Sequence, residues 1–315
     1  MKKLTMRGKK GYTLQEAFDY FMQKGKVKNL SDKTMETYRK RLNIFQKFLA
    51  NDKFLMEDIT IKIVDGYTIH LQKGKCRSQA TINSYLRDLR VFLYFCMDEG
   101  YLQRFKIKLP KIDKIIKETY YDDELKRLLK KPNLKTCDFT EYKIWVMTNY
   151  LMATGNRISS ILSLKIEDLD FDNALIQVNK TKNRKAQIIP MSATLATVLQ
   201  EYLVYRKGEA GEYLFCNTYG DKGNKRAYQE MLARYNKSRG VSKTSAHLYR
   251  HTFAKKWILN GGDIFRLQKI LGHSDLTMVR EYVNIFGDEL SLDFNRFNPL
   301  DNMDVGHNRN KIKIK

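Results

Sequence analysis

Within its domains, the apolar residues of this 315-residue chain turn from helical to strand spacing in one region, and that limits the folds open to it. Up to about residue 103, and again from 119 to about 163, they recur at helical intervals. Between 164 and 191 the period drops to two, in the segments LKIEDLD (164–170), ALIQVN (174–179) and AQIIPM (186–191). Helical intervals then return near 193–206, 225–238, 247–260, 264–271 and 275–283. One helix face recurs every three or four residues and one strand face every second. The pattern therefore predicts a mainly α chain with one small three-stranded antiparallel sheet. Asp172-Asn173 makes the first turn of that sheet. The segment KTKNRK, Lys180 to Lys185, makes the second and sets Lys182 near the tip of a β-hairpin.

Ahead of the sheet, residues 11–103 read as a four-helix domain. The first helix, over 13–24, carries Leu14, Ala17, Phe18 and Phe21 on one side. Ser31 can cap a longer one with Met35, Tyr38, Leu42, Phe45, Phe48 and Leu49 inward. A third spans 60–73. Ser78 can cap a fourth, with Ile82, Tyr85, Leu86, Leu89, Phe92, Leu93 and Cys96 buried and Gly100 as its stop. Lys33, Arg39, Lys40, Arg41 and Lys47 fall on the outer side of the second helix, and Arg77, Arg87 and Arg90 lie off the stripe of the fourth. Faces of this kind can lie along phosphates or enter a major groove, although a solvated surface is the ordinary use of any one such residue.

The stretch RFKIKLPKIDKIIKE, 104–118, holds six basic residues and one Pro and reads as an interdomain linker. It offers Lys106, Lys108 and Lys111 to a nucleic-acid backbone. A second domain follows over 119–297. It opens with helices near 122–131 and 140–153, and a basic tail covers 298–315.

Charge narrows the function classes. Lys and Arg number 58 against 35 Asp and Glu, a net +23. Up to Pro110 there are 23 basic and 11 acidic residues (+12), and the remainder carries 35 and 24 (+11). Both parts are basic, which suits a polyanion lying across both domains better than a single basic arm would. The four cysteines (Cys76, Cys96, Cys137, Cys216) form no CxxC pair, so neither a disulfide framework nor a zinc site is indicated, and a cytoplasmic location is the default. No apolar run approaches the length of a membrane span.

The chemistry concentrates in HLYRHTFAKKWILNGGDIFRLQKILGHSDLTMVREYV, which begins at His247 and contains three of the five histidines, His247, His251 and His273. Arg250 sits one helical turn after His247. Asp263 can cap a short helix with Ile264, Leu267, Ile270 and Leu271 on one side and Gly272 as its stop. His273 follows at once, and Ser274 can cap a last helix that presents Tyr282. With Arg157 and Lys182, these residues form a set suited to phosphoryl transfer. Two guanidinium groups can clamp the non-bridging oxygens of a phosphodiester and hold charge in a pentacoordinate transition state. A Tyr hydroxyl can attack phosphorus, a Lys on a hairpin can protonate the leaving oxygen, and a His can exchange the Tyr proton. No carboxylate cluster for Mg²⁺ stands out, and no cofactor or ATP is called for, because the protein link conserves the bond energy. Taken singly, each residue has a plainer use. Tyr282 is one of 19 tyrosines, and His247 with His251 four residues on could as well be zinc ligands, but no Glu or Cys adjoins them.

In their order and surroundings these residues resemble the tyrosine recombinases, the phage integrase family. TGNRISSILSL resembles the family's first arginine box, which marks Arg157. Lys182 stands eight residues before Pro190, as the family's hairpin lysine does before its strand-ending Pro. HLYRHTFA resembles the second box and marks His247 and Arg250, LGHS marks His273, and Tyr282 follows nine residues later as the nucleophile. The resemblance implies a helical, SAM-like core-binding domain and an α-rich catalytic domain. The two would form a C-shaped clamp on DNA and assemble as a homo-tetramer that exchanges strands through a 3′-phosphotyrosine and a Holliday junction. One position departs: Ser160 stands where the family usually has Glu or Asp, which bears on how His247 and Arg157 are oriented. Beyond Tyr282, the apolar residues Phe286, Leu290, Leu292, Phe294 and Phe297 imply a segment, near 288–298, that docks on a neighbouring protomer. The MVREYVN surroundings favour an integrase or transposase of a mobile element, with room for an accessory DNA-bending or directionality factor. The competing readings are a Xer-type resolvase, a type IB topoisomerase and a non-catalytic DNA-binding protein of the same fold.

Overall fold

The computed structural model describes residues 11–50, 54–74, 78–111, 118–179 and 186–272. Arg77, Lys182, His273, Tyr282, the last expected helix and the tail lie outside them. The chain divides into two compact units, Met1–Ile115 and Ile116–Lys315.

The first unit is built on four helices, α1 (Leu14–Val27), α2 (Asp32–Leu49), α3 (Ile61–Lys73) and α4 (Gln79–Asp98). Their starts are written in the sequence. Thr13 and Glu16 form a reciprocal capping box on α1, and the Ser31 and Ser78 hydroxyls accept from the third amide of α2 and α4. The apolar stripes meet in one core, where Phe21 packs edge-on against Phe92 and Phe45 against Tyr67. The basic outer face departs from expectation at one residue. Arg41 is drawn inward, its guanidinium 4.0 Å from the centre of the Tyr85 ring and 3.4 Å from the Asp88 carboxylate. Tyr85 is correspondingly half-buried.

The expected linker is not free chain over its first part. Leu102 and Ile107 are buried in the first core. The Ile107 amide donates to the Tyr94 hydroxyl (3.2 Å), and Asn83 Nδ2 donates to the Pro110 carbonyl (2.7 Å). Its alternate apolar residues give 104–111 a buried side, which the count of basic residues conceals.

The second unit contains α5 (Asp122–Leu129), α6 (Phe139–Thr154), α7 (Ile158–Ile161), strands β1 (Leu169–Asp170), β2 (Leu175–Val178) and β3 (Gln187–Pro190), then α8 (Ala193–Arg206), α9 (Lys225–Ser238), α10 (Ala246–Leu259) and α11 (Ile264–Leu271). Helix α6 buries Tyr142, Ile144, Trp145, Val146, Met147, Tyr150 and Leu151, so it is apolar on nearly all sides. Such a helix belongs at the centre of a domain, and α8, α9 and α10 pack around it. The sheet is antiparallel in the order β1-β2-β3, with Ile176 opposite Leu169 and Ile189. The first strand is shorter than its sequence pattern. Asp168 accepts from the Lys165 amide (2.8 Å) and winds Ile166–Asp168 into a 3-10 turn, leaving only Leu169 and Asp170 in the sheet. Among the described residues no helix is long and apolar enough to cross a membrane.

Candidate active site

The first arginine box lies at the end of α6. Gly155 terminates that helix in the left-handed conformation (φ +61°), and Asn156, itself buried, leads to Arg157, which caps the single turn of α7. Three buried hydrogen bonds hold this corner. Thr154 Oγ1 donates to the Tyr150 carbonyl (2.8 Å), the Asn156 amide donates to Thr154 Oγ1 (3.3 Å), and Asn156 Nδ2 donates to the Tyr150 hydroxyl (3.3 Å). Arg157 is half-buried at the edge of the corner.

The second box meets the first directly. Arg250 on α10 is only 4% exposed, and its Nη1 donates to the Gly155 carbonyl (2.9 Å) while Nη2 donates to the Leu271 carbonyl (2.8 Å). One guanidinium thus ties α10 to the turn before Arg157 and to the last residue of α11. A planar fork with five donors can bond two carbonyls and keep a fixed direction for the remainder. Gly155 makes the approach possible, since a Cβ there would lie 2.5 Å from Phe253 Cδ1 and 2.8 Å from Leu271 Cδ2.

His247 stands on the exposed side of the same helix. Its imidazole is nevertheless held below the usual histidine range, first by desolvation and then by the positive charges of Arg250, Lys225 and Arg157. At neutral pH it is therefore an uncharged ring able to accept or donate a proton. Ser160 is buried beneath Arg157, its amide bonded back to the Arg157 carbonyl (2.8 Å). A carboxylate usually expected at that position is absent, and Arg250 is oriented by main-chain carbonyls.

Supports that the box pattern does not disclose lie behind α10. The Tyr249 hydroxyl donates to Asn236 Oδ1 (3.0 Å), and Asn236 Nδ2 donates to the Tyr120 hydroxyl (2.9 Å) and the Lys243 carbonyl (2.8 Å). The Tyr120 amide donates to Thr252 Oγ1 (2.9 Å). Lys243 pairs with Glu124 at 2.9 Å. The signal for this network in sequence is Asn236, a polar residue on the apolar stripe of Tyr228, Leu232 and Tyr235. On the sheet side, Gln187 Nε2 donates to the Lys269 carbonyl and, at 2.6 Å, to that of Ile270, which docks the end of α11 against β3. The structure thus brings Arg157, His247 and Arg250 together, while Lys182, His273 and Tyr282 lie outside the described residues.

On the first unit, Arg39, Lys40, Arg87, Lys106, Lys108 and Lys111 are exposed and Arg90 is half-buried. Lys40 pairs with Glu36 one turn earlier (2.5 Å). Helices α2 and α4, which carry Arg39, Lys40, Arg87 and Arg90, pack on each other.

Residues 118–288 match the phage integrase family, and residues 13–116 match the phage integrase SAM-like domain. The chain is similar to the tyrosine recombinase XerD of Listeria innocua serovar 6a, 26% identical over 285 residues that cover 86% of this chain and 94% of the relative. Its fold is shared with the Tn1549 transposon integrase solved with transposon right end DNA (TM-score 0.70, 20% identity, 87% of this chain and 94% of that one). It is shared too with a lambda integrase dimer bound to a COC′ core site (TM-score 0.67, 18% identity, 96% and 81%).

Proposed function

Because the chain belongs to the phage integrase family and is a site-specific recombinase of the tyrosine type, we propose that Tyr282 is its nucleophile and that Arg157, Lys182, His247, Arg250 and His273 serve the strand transfer. The carrying observation is the bond from the buried Arg250 guanidinium to the Gly155 carbonyl, which unites two arginine boxes far apart in sequence beside a neutral His247.

The Tyr282 hydroxyl attacks phosphorus in duplex DNA and forms a phosphotyrosine at the 3′ side of the break. The 5′ oxygen leaves and takes a proton from Lys182. His247 receives the tyrosine proton. Arg157 and Arg250, with His273, hold the charge on the non-bridging oxygens. Attack by the 5′ hydroxyl of a partner strand reverses each transfer and frees the tyrosine. Bond energy is conserved through both steps. Two rounds on paired sites pass through a Holliday junction.

The biological setting in this reading is integration and excision of a mobile element in the cytoplasm, by a homo-tetramer that exchanges the segment near 288–298. The MVREYVN context and the fold shared with a transposon integrase support it. A resolvase role is the second reading, favoured by the likeness to XerD.

The test is incubation with nicked duplexes tiled across the DNA flanking the coding sequence, in EDTA, with denaturing electrophoresis. Wild type is expected to give a protein–DNA adduct and Tyr282→Phe none. An adduct that survives in Tyr282→Phe assigns the nucleophile elsewhere. Binding without any adduct removes the enzymatic reading.

A further inference from the structure

Near the start of the second unit, residues 119–122 are held to α10 and to the segment that leads into it. Lys243, three residues ahead of that helix, donates from Nζ to the Thr119 carbonyl (3.0 Å) and lies 4.0 Å from the centre of the Tyr121 ring. The Tyr120 amide donates to Thr252 Oγ1 (2.9 Å), and the Tyr120 hydroxyl donates to the Lys243 carbonyl (3.3 Å). The Tyr120 and Tyr249 rings pack with centres 4.5 Å apart. Asp122 pairs with Lys256 at 2.6 Å. By their spacing of three and four residues, Tyr249, Thr252 and Lys256 share one face of α10, while His247 and Arg250 share another. Thr252 stands five residues after His247, about 140° around the helix at 3.6 residues per turn. The chain at 119–122 therefore grips α10 from behind the groups assigned to the reaction.

We propose that Tyr120 and Thr252 are positioning residues of the strand transfer: from the back of α10 they fix its rotation and axial position, and so where His247 and Arg250 stand against the first arginine box. The inference rests on the strand-transfer reading above. Both residues act through the helix. Apolar packing has no direction of its own, so a helix held by it alone can turn by a small angle at low cost. A hydrogen bond weakens steeply as its angle opens. On the front of α10, Arg250 is bonded to the Gly155 and Leu271 carbonyls, and a clamp on one face leaves the helix free to pivot about it. The bond from Tyr120 to Thr252 and that from Tyr249 to Asn236 clamp the opposite face and remove that freedom. Tyr120 and Thr252 are both buried, so a rotation that parted them would leave an amide unpaired away from water. Thr252 Oγ1 also donates to the Leu248 carbonyl (2.7 Å), which fixes the direction in which it accepts.

The experiment compares the full-length wild type, Thr252→Val, Thr252→Ser, Tyr120→Phe and Tyr202→Phe on the nicked duplex that wild type binds most tightly. Val keeps the shape of Thr without the acceptor, and Ser keeps the hydroxyl. Tyr202→Phe removes another buried hydroxyl, on α8, which donates to the Leu214 carbonyl (3.1 Å), and it controls for lost stability alone. Adduct formation is timed with the duplex saturated, at a temperature where every variant is folded, and affinity and amide exchange along α10 are measured beside it. Thr252→Val and Tyr120→Phe are expected to bind as wild type does and to form adduct about tenfold or more slowly, since a misplacement of about 1 Å costs about a hundredfold. Thr252→Ser restores the rate, and Tyr202→Phe keeps it. Thr252→Val that cleaves as fast as wild type overturns the proposal, as does an equal slowing in Tyr202→Phe. A wild type that binds without cleaving would remove the strand-transfer reading, and exchange would then still decide the grip on α10. Faster exchange along α10 in Thr252→Val but not in Tyr202→Phe upholds that grip, and exchange unchanged in Thr252→Val refutes it.

Discussion

Replacing Gly155 with Ala tests whether the two arginine boxes are held together as described. The residue lies at φ +61°, where an L side chain costs about 1–2 kcal/mol. The added Cβ would also stand 2.5 Å from Phe253 Cδ1 and 2.8 Å from Leu271 Cδ2, against a favourable carbon separation of about 3.5–4.0 Å. Overpacking of that degree costs about 1–3 kcal/mol. Gly261→Ala isolates the first cost, because Gly261 is also left-handed (φ +73°) but has nothing within 4 Å of its Cβ position. The difference between the two variants is then about 1–3 kcal/mol, or roughly 2–12 °C of melting temperature for a unit of this size. Relief of the contact requires α10 or α11 to retreat by about 1 Å, taking Arg250 off the Gly155 carbonyl, and a displacement of that order costs about a hundredfold in rate. Urea and thermal unfolding, with adduct formation measured where both variants are folded, are the assays. If Gly155→Ala melts with Gly261→Ala and cleaves as fast, the close junction between the boxes is wrong.

Further outcomes follow from other contacts. Arg250→Lys cannot reach both the Gly155 and Leu271 carbonyls, so it is expected to lose about 2–3 kcal/mol in urea unfolding and nearly all adduct formation; full activity would exclude the clamp role. Tyr249→Phe leaves Asn236 Oδ1 without its donor, and a loss of about 1–3 kcal/mol with DNA affinity unchanged is the expected result in melting and binding assays. Because the His247 pKa is depressed in the folded chain, the unfolded chain binds the extra proton first. Its contribution to stability is present above the unfolded value of about 6.5 and is lost as pH falls toward the folded value. Cleavage should accordingly persist to a pH below the ordinary histidine range, and an acid limb above pH 7 would contradict this. Truncation before Phe286 should abolish tetramers on DNA in sedimentation while leaving binding to a single site; tetramers that persist would remove the role given to the tail.

Much of the fold was legible because its determinants are local. The caps Ser31, Ser78, Asp263 and Gly155, and the alternation around Ile176 and Ile189, announce their elements within a few residues. The candidate site was legible as a set of residue types, since phosphoryl transfer restricts which side chains can take part. Sequence alone could not say that Asp168 would wind the first strand into a turn, or that 104–111 would lie against α4. Arg41 had the spacing of a solvated face, and only the packing of α2 on α4 brought Asp88 and Tyr85 within its reach.

The sequence by itself determined the helical character, the small sheet, the basic composition and which residues are candidates for the reacting groups, because each depends on neighbours along the chain or on composition. The tertiary structure decided what Arg250 bonds, why Gly155 must lack a side chain, and how Asn236 steadies α10. Those are contacts between segments far apart in the chain. Their geometry is set by the packing of whole helices around α6, and periodicity within any one helix carries no record of its partners.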